Sequence, residues 1–269
     1  MAPVSLPVAL TIAGSDPSGG AGLQADLKTF AALDVYGAAV VAALTAQNTC
    51  GVRARLDVAP DFVAAQLDAV LDDLPVGAVK TGMLGRAAIV DVVAERLAAR
   101  RPRLPLVVDP VLAATSGDPL AEPGLAARLA ERLLPLATLV TPNLAEAEAL
   151  VGRRVGTPAE MRDAARALVD RGARAALVTG GHLPDDARDV LFDGAAYHDL
   201  VAARVPISPT HGTGCTLSAA VAANLARGLD LVAAVTDAKT FVGRALVAAR
   251  PVGRGAVPLD HGAAGRGRR

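Results

Sequence analysis

Short β-like runs alternate with longer segments of helical period along this 269-residue chain, and that alternation admits few folds. Strands are predicted at "VALTIA", "AAVVAAL", "GAVK", "PLVVD", "TLVT", "AALVT" and "DVLFD". Between them Leu23, Leu27, Phe30 and Ala31 recur at helical spacing, as do Val63, Leu67, Val70, Leu71 and Leu74. Strand and helix in regular turn specify a mostly parallel central sheet with helices on both faces. No repeat, charge block or long low-complexity linker divides the chain, so 1–269 is expected to form one α/β domain with little or no lid. Two last helices are expected at about 214–227 and 230–249, and the glycines and arginines from about 251 to 269 suggest a loose tail.

Composition narrows the function. Lysine plus arginine number 27 and aspartate plus glutamate 27, so no whole-protein field draws the chain to nucleic acid or to a membrane surface. Aromatic residues make up 2% and tryptophan is absent, which argues against a base-stacking platform. Cys50 and Cys215 are far apart and no Cys/His cluster has zinc spacing, so a reducing, cytoplasmic setting without a disulfide framework is expected. No apolar segment approaches the ~18 residues that a membrane span needs.

In open parallel sheets ligands bind beyond the carboxyl ends of the strands, and the unusual residues fall there: "GSDPSGGAG", "TAQN", "TGM", Asp109, "TPNLAE" and "TGGH". From Gly14 to Gly19 the spacing is that of a P-loop, but Gly20 and Ala21 stand where lysine and serine or threonine are required. "GAGLQA" fits G-x-G-x-x-A, yet no acid ends the second strand to bind a ribose. Asp26 shares the apolar stripe of Leu23, Leu27 and Phe30, so its inward carboxylate needs a partner: a lysine, a backbone amide or a ligand amine. The Gln47 amide donates and accepts side by side, an edge that can pair with an aminopyrimidine.

"PTHGTGCTLS", residues 209–218, offers consecutive amides in a glycine turn at the start of a helix, where partial positive charge favours phosphate oxygens. The same helix end is expected to depress the Cys215 thiol pKa, leaving it partly thiolate at neutral pH. Asn143 and Glu146 form N-x-x-E at a helix start; the pattern reads as an N-cap or, beside phosphate, as an orderer of the water shell of Mg²⁺. His211 and His182 are loop residues or phosphate neighbours.

Taken together, "LTIAGSDPSGGAGLQADLKTF", "ALTAQNTCGV", "VKTGML", "SGDPL", "LLPLATLVTPNLAEAEAL", "GGHL" and "THGTGCTLSAAVAA" resemble the hydroxymethylpyrimidine/phosphomethylpyrimidine kinases of thiamine biosynthesis, in the ribokinase-like superfamily. The resemblance runs from about Ala9 to Phe241. It implies ATP- and Mg²⁺-dependent phosphorylation of 4-amino-5-hydroxymethyl-2-methylpyrimidine and then of its monophosphate, in a cytoplasmic homodimer. It places Gln47 on the pyrimidine edge, with Asp26, Gly14, Ala21, Met83 and Val111 completing the pocket. Gly212, Thr213 and Gly214 would form the anion hole and Cys215 the base. Asn143 and Glu146 would serve the magnesium–phosphate end, Glu146 through water, while Thr179, Gly181 and Lys239 would lie near the nucleotide. Where the family commonly reads "TKNTHGTGC" this chain has Ser208 and Pro209, and the family's closing "GPxNHF" appears as "VPLDHG", with Asp260 for asparagine. Two other readings are a pyridoxal kinase of the same superfamily and a non-catalytic pyrimidine-binding sensor.

Overall fold

A computed structural model describes residues 6–100, 102–114, 117, 118, 120–181, 187–207 and 209–266. Ser208 and His182 lie outside the described residues. The strands are β1 (Val8–Ser15), β2 (Tyr36–Asn48), β3 (Gly51–Asp57), β4 (Val76–Thr81), β5 (Leu106–Val108), β6 (Leu139–Val140), β7 (Ala176–Gly180), β8 (Ala187–Phe192), β9 (Tyr197–Ala202), β10 (Thr210–His211) and β11 (Val257–Pro258). The helices are α1 (Gly22–Ala32), α2 (Pro60–Asp73), α3 (Ala87–Ala99), α4 (Leu125–Arg132), α5 (Leu144–Val151), α6 (Pro158–Asp170), α7 (Thr213–Ala226), α8 (Leu231–Val247) and α9 (His261–Arg266).

The main sheet runs β3-β2-β1-β4-β5-β6-β7-β8-β9. The six strands from β2 to β7 in that order are parallel, and β3, β8 and β9 join antiparallel at the two edges. Every predicted strand is present. β3 and β9 were not anticipated, because "GVRARLD" and "YHDLVA" carry charge on the solvent side, as exposed edge strands do.

Chain order reverses between β1 and β4: β1 leads to β2 on one side, and the chain then returns to β4 on the other. That switch point opens a crevice at the strand ends. The interior strands are near-continuous apolar runs because helices cover both faces. On one face Val63, Leu67, Ile89, Val93, Leu129 and Leu168 pack from α2, α3, α4 and α6. On the other Phe30, Val221, Ala234 and Phe241 pack from α1, α7 and α8. Alanines crowd the buried side of α7, which lets that helix lie close to the sheet and fixes its N-terminus at the crevice.

The segment after 251 departs from expectation. β11 pairs with β10, and α9 buries His261 and Ala264, so residues 257–266 are packed structure rather than a loose tail. Glycine and arginine are common in tails, but here the backbone finds partners: the amides of Ala256 and Val257 donate to Thr49 O (2.8 Å) and Pro209 O (2.9 Å). Asp260, the departure from asparagine, caps α9 by accepting from the Ala263 amide at 2.8 Å.

Candidate active site

Two glycine turns meet at the crevice. In the first, the Asp16 carboxylate accepts from the Ser18 amide (2.9 Å) and hydroxyl (2.7 Å), and from the amides of Gly20 (3.2 Å) and Ala21 (2.9 Å). An aspartate followed by proline and serine is a side-chain-closed turn, and it delivers the chain into α1. In the second turn Gly212 has φ +84°, and a β-carbon there would stand 1.9 Å from Gly20 O. The two backbones touch at a distance that only glycine permits.

His211 joins the turns, its ring against Gly20 and its Nε2 at 2.8 Å from Asp16 Oδ2. Burial pushes the Asp16 carboxyl up, but hydrogen bonds from His211, Ser18 and Ala21 outweigh it and hold the pKa at about 2. An ionised carboxylate only accepts, so His211 Nε2 carries the proton. Gln47 Nε2 lies 3.3 Å from that nitrogen, and Gln47 Oε1 lies 3.2 Å from a Thr45 hydroxyl that also faces Ser15 O at 2.9 Å. Two donors face one another in the first contact. The network closes when the amide is rotated, with its oxygen toward His211 and its NH₂ toward Thr45.

Beside Gln47, an apolar wall is made by Met83, Ala43 and Leu120 with Val52 and Val111. Gly14 lies against Met83, where a β-carbon would be 2.6 Å from the thioether methyl. Gly14, Met83 and Val111 thus border this wall and Gln47 pairs across the strands with its Val52, while Ala21 stands in the first glycine turn with its amide on Asp16. A cavity of about 290 Å³ opens past Gln47 and His211 toward Thr49, Cys50 and Gly255.

Asp26 does not belong to that wall. It is fully buried, with Lys80 Nζ at 2.8 and 3.0 Å from its two oxygens and the Thr11 hydroxyl donating at 2.6 Å. A lysine, one of the partners its position called for, satisfies this carboxylate, and no surface is left for a ligand. Burial raises the Asp26 carboxyl and works against charge on Lys80, yet Asp26, with Asp109 beyond it, holds the Lys80 ammonium above its ordinary range. Lys80 Nζ is also 3.9 Å from Asp109 Oδ2, which accepts from the Ser218 hydroxyl at 3.0 Å.

The phosphate end is formed by α7. Its first intrahelical bond runs from Thr216 N to Gly212 O at 2.9 Å, so the amides of Thr213, Gly214 and Cys215 have no acceptor within the helix and stand at its positive end. Gly214 is exposed, and nothing lies within 4 Å of where its side chain would begin. Open space above bare amides is what a phosphate group requires.

The expectation of a Cys215 thiolate is overturned. Its sulfur interacts with the Asp109 carboxylate and the Gly22 amide, and its pKa is pushed up to about 12. Burial is the main cause and the charges of Asp109 and Asp26 add to it; Lys80 and the Gly22 amide pull the other way. The helix end is present, but desolvation beside carboxylates outweighs it.

At the far side of the crevice, Asn143 caps α5 in a closed capping box: its side chain accepts from the Glu146 amide (3.0 Å) and Glu146 accepts from the Asn143 amide (2.9 Å). Burial, with the Asp109 charge second, pushes Glu146 up to about 8. Thr179 bridges to Asn143 at the end of β7, and Gly181 faces open space. Lys239 is not a free cation. It binds Asp189 (2.6 Å) and Ala187 O (2.6 Å), and Asp189 in turn accepts from the Gly180 amide (3.0 Å), so the lysine secures the strand end beside Gly181.

Sequence reasoning passed over Asp16, Lys80, Thr216, Ser218 and His261. Asp16-Pro17-Ser18 was a usable turn signal, and a lysine within the apolar "GAVK" strand pointed to a buried ion pair. Among the described residues no group of three His, Cys, Asp or Glu is arranged to hold a metal, and no helix is long and apolar enough to cross a membrane.

A family model described as phosphomethylpyrimidine kinase matches residues 16–260. A hydroxymethylpyrimidine/phosphomethylpyrimidine kinase of Rhizobium meliloti (strain 1021) is 52% identical over 258 residues, covering 94% of this chain and 96% of that one. The pyridoxal kinase of Bacillus subtilis, solved as an ADP complex, superposes with a TM-score of 0.88 at 38% identity, covering 96% of this chain and 98% of that one. A phosphomethylpyrimidine kinase structure from Clostridium difficile 630 gives a TM-score of 0.79 at 38% identity, over 89% and 99% of the two chains.

Proposed function

The chain belongs to the phosphomethylpyrimidine kinase family, and from that premise we propose how its site phosphorylates 4-amino-5-hydroxymethyl-2-methylpyrimidine and then the monophosphate, for thiamine synthesis. It is an ATP-dependent phosphotransferase of ribokinase-like fold. The observation that carries the site assignment is the bare start of α7: three amides without helical acceptors, beside Cys215 and across the two glycine turns from Gln47.

In this reading the pyrimidine lies on the Met83 and Val111 wall, with its amino edge on Gln47. His211 and Asp16 fix the direction in which that amide points. The amides of Thr213, Gly214 and Cys215 receive the charge that develops on the migrating phosphoryl group, so catalysis is positioning plus electrostatic stabilisation. Cys215 works as a relay rather than as a stored thiolate. As the substrate hydroxyl attacks, its proton passes to sulfur while the thiol proton passes to Asp109, whose carboxyl is itself pushed up by burial and so is ready to accept. The second step needs no such base, because a phosphate monoester is largely anionic near neutrality, with a second pKa of about 6.

Nucleotide contacts are assigned to Thr179 and Gly181, with Lys239 acting through the strand end. Glu146 suits the Mg²⁺ end: burial and the Asp109 charge raise its pKa, a cost that a hard cation relieves. The Glu146 carboxylate already accepts backbone amides, from Asn143 and Leu112, so it would hold the ion through water. Bound Mg²⁺ supplies neutralising charge for the phosphates. The same family premise makes the working unit a cytoplasmic homodimer, which sedimentation of the purified protein and fractionation of cells check.

Pyridoxal is the weaker substrate reading, since the relative at half identity carries the pyrimidine name and the pyridoxal kinase only 38%. Incubation with Mg-ATP and the hydroxymethylpyrimidine should yield one and then two added phosphates by mass spectrometry. Turnover of pyridoxal alone would overturn the substrate, and no transfer at all would overturn the activity.

A further inference from the structure

The C-terminal segment grips the site from behind at four points. Gly255 and Ala256 donate amides to Thr49 Oγ1 (3.2 Å) and Thr49 O (2.8 Å), two residues beyond Gln47. Val257 donates to Pro209 O at 2.9 Å, which zips β11 onto β10 immediately before the phosphate turn. α9 lies on α1, where a β-carbon at Gly265 would be 2.6 Å from Ala32 O. Finally, His261 Nε2 lies 2.9 Å from the hydroxyl of Thr216, in the first turn of α7.

That last contact is directional. The Thr216 hydroxyl, fully buried, has one proton and donates it to Gly212 O at 2.8 Å. It must then accept from His261, so Nε2 carries the proton. Burial, with Lys28 adding, holds His261 down to about 4, so the ring is neutral and keeps this tautomer across ordinary pH. The chain His261 to Thr216 to Gly212 O ends on the carbonyl whose own residue turns the backbone into α7. Gly212 cannot shift toward Gly20, which it already touches.

We propose that residues 255–266 form a clasp on the phosphate turn, and that His261 is a positioning residue that fixes the Gly212 carbonyl and so aims the amides of Thr213, Gly214 and Cys215. The proposal rests on the kinase reading only for what those amides hold. Their geometry can be tested without it.

The test compares His261→Ala, His261→Gln and Thr216→Val with the intact chain and with Leu168→Ala, a core truncation on α6 that lowers stability away from the site. Hydrogen exchange read on peptides covering 209–216 is expected to speed up about tenfold in His261→Ala and Thr216→Val, as for loss of one hydrogen bond, but not in Leu168→Ala. His261→Gln, whose amide can still donate, should return most of the protection. In turnover, kcat should fall about tenfold with KM for the pyrimidine little changed, and the double variant His261→Ala/Thr216→Val should lose no more than either single one. Unchanged exchange in His261→Ala, a glutamine variant no better than alanine, or an equal kcat loss in Leu168→Ala would overturn the clasp. Inactivity of the intact chain would count against the kinase reading alone, since exchange still decides the clasp.

Discussion

Asp16→Asn isolates the hub that joins the two glycine turns. The carboxylate is 2% exposed and accepts from Ser18, Gly20, Ala21 and His211. Its pKa falls from 3.8 to about 2, just under two units, and at about 1.4 kcal/mol per unit the surroundings favour the charged form by about 2 kcal/mol. Asparagine keeps the shape but turns an NH₂ toward amides or toward the His211 proton, and leaving one buried donor unmatched adds about 1 kcal/mol or more. The expected loss is about 3 kcal/mol, seen as a Tm lower by roughly 6–12 °C for a chain of this size. The pH dependence supplies a second check. A carboxyl with a depressed folded pKa contributes stability that is present above the unfolded value and is lost as pH falls through the folded one. Urea midpoints of the intact protein should therefore drop between about pH 4 and pH 2, and Asp16→Asn should lack that increment. A loss under about 0.5 kcal/mol at pH 7, or the same acid limb in both proteins, would refute the reasoning.

Lys80→Met strips the cation from between Asp26 and Asp109 and should cost about 3–5 kcal/mol in denaturant unfolding, while Asp26→Leu/Lys80→Met should regain most of it. Gly212→Ala drives a methyl into Gly20 O, so kcat should fall at least about a hundredfold, the scale of losing one oxyanion donor; steady-state kinetics read it. Glu146 has a folded pKa of about 8 against an ordinary 4.5. Between those values the folded state holds the extra proton, so stability should fall as pH rises from about 4.5 to 8. Thermal melts should show that slope in the ligand-free protein and lose it in Glu146→Gln.

Much of the fold was legible because alternating strand and helix periods leave few arrangements, and the polar residues already sat at strand ends. The start of α7 was legible for the same reason, since "HGTGC" before an apolar run is a helix mouth wherever it occurs. What stayed hidden depends on contacts distant in sequence. Asp26 announced its need for a partner, but only the sheet order puts β4 beside β1 and Lys80 beneath α1. The Cys215 argument named a true local force and missed a larger one, because the two carboxylates that raise its pKa come from α1 and from the end of β5. The C-terminal segment reads as tail by composition, and the four acceptors that order it, two on Thr49 and one each on Pro209 and Ala245, lie in other parts of the chain.

The central claim is that a sulfur beside the bare amides of α7 relays the alcohol proton while those amides hold the phosphoryl group. Single-turnover rates of the two phosphorylations in Cys215→Ala test it most directly. The first step should slow by about 10²–10⁴, the usual worth of a positioned proton acceptor, and the second by less than about tenfold. Equal losses in the two steps would contradict it.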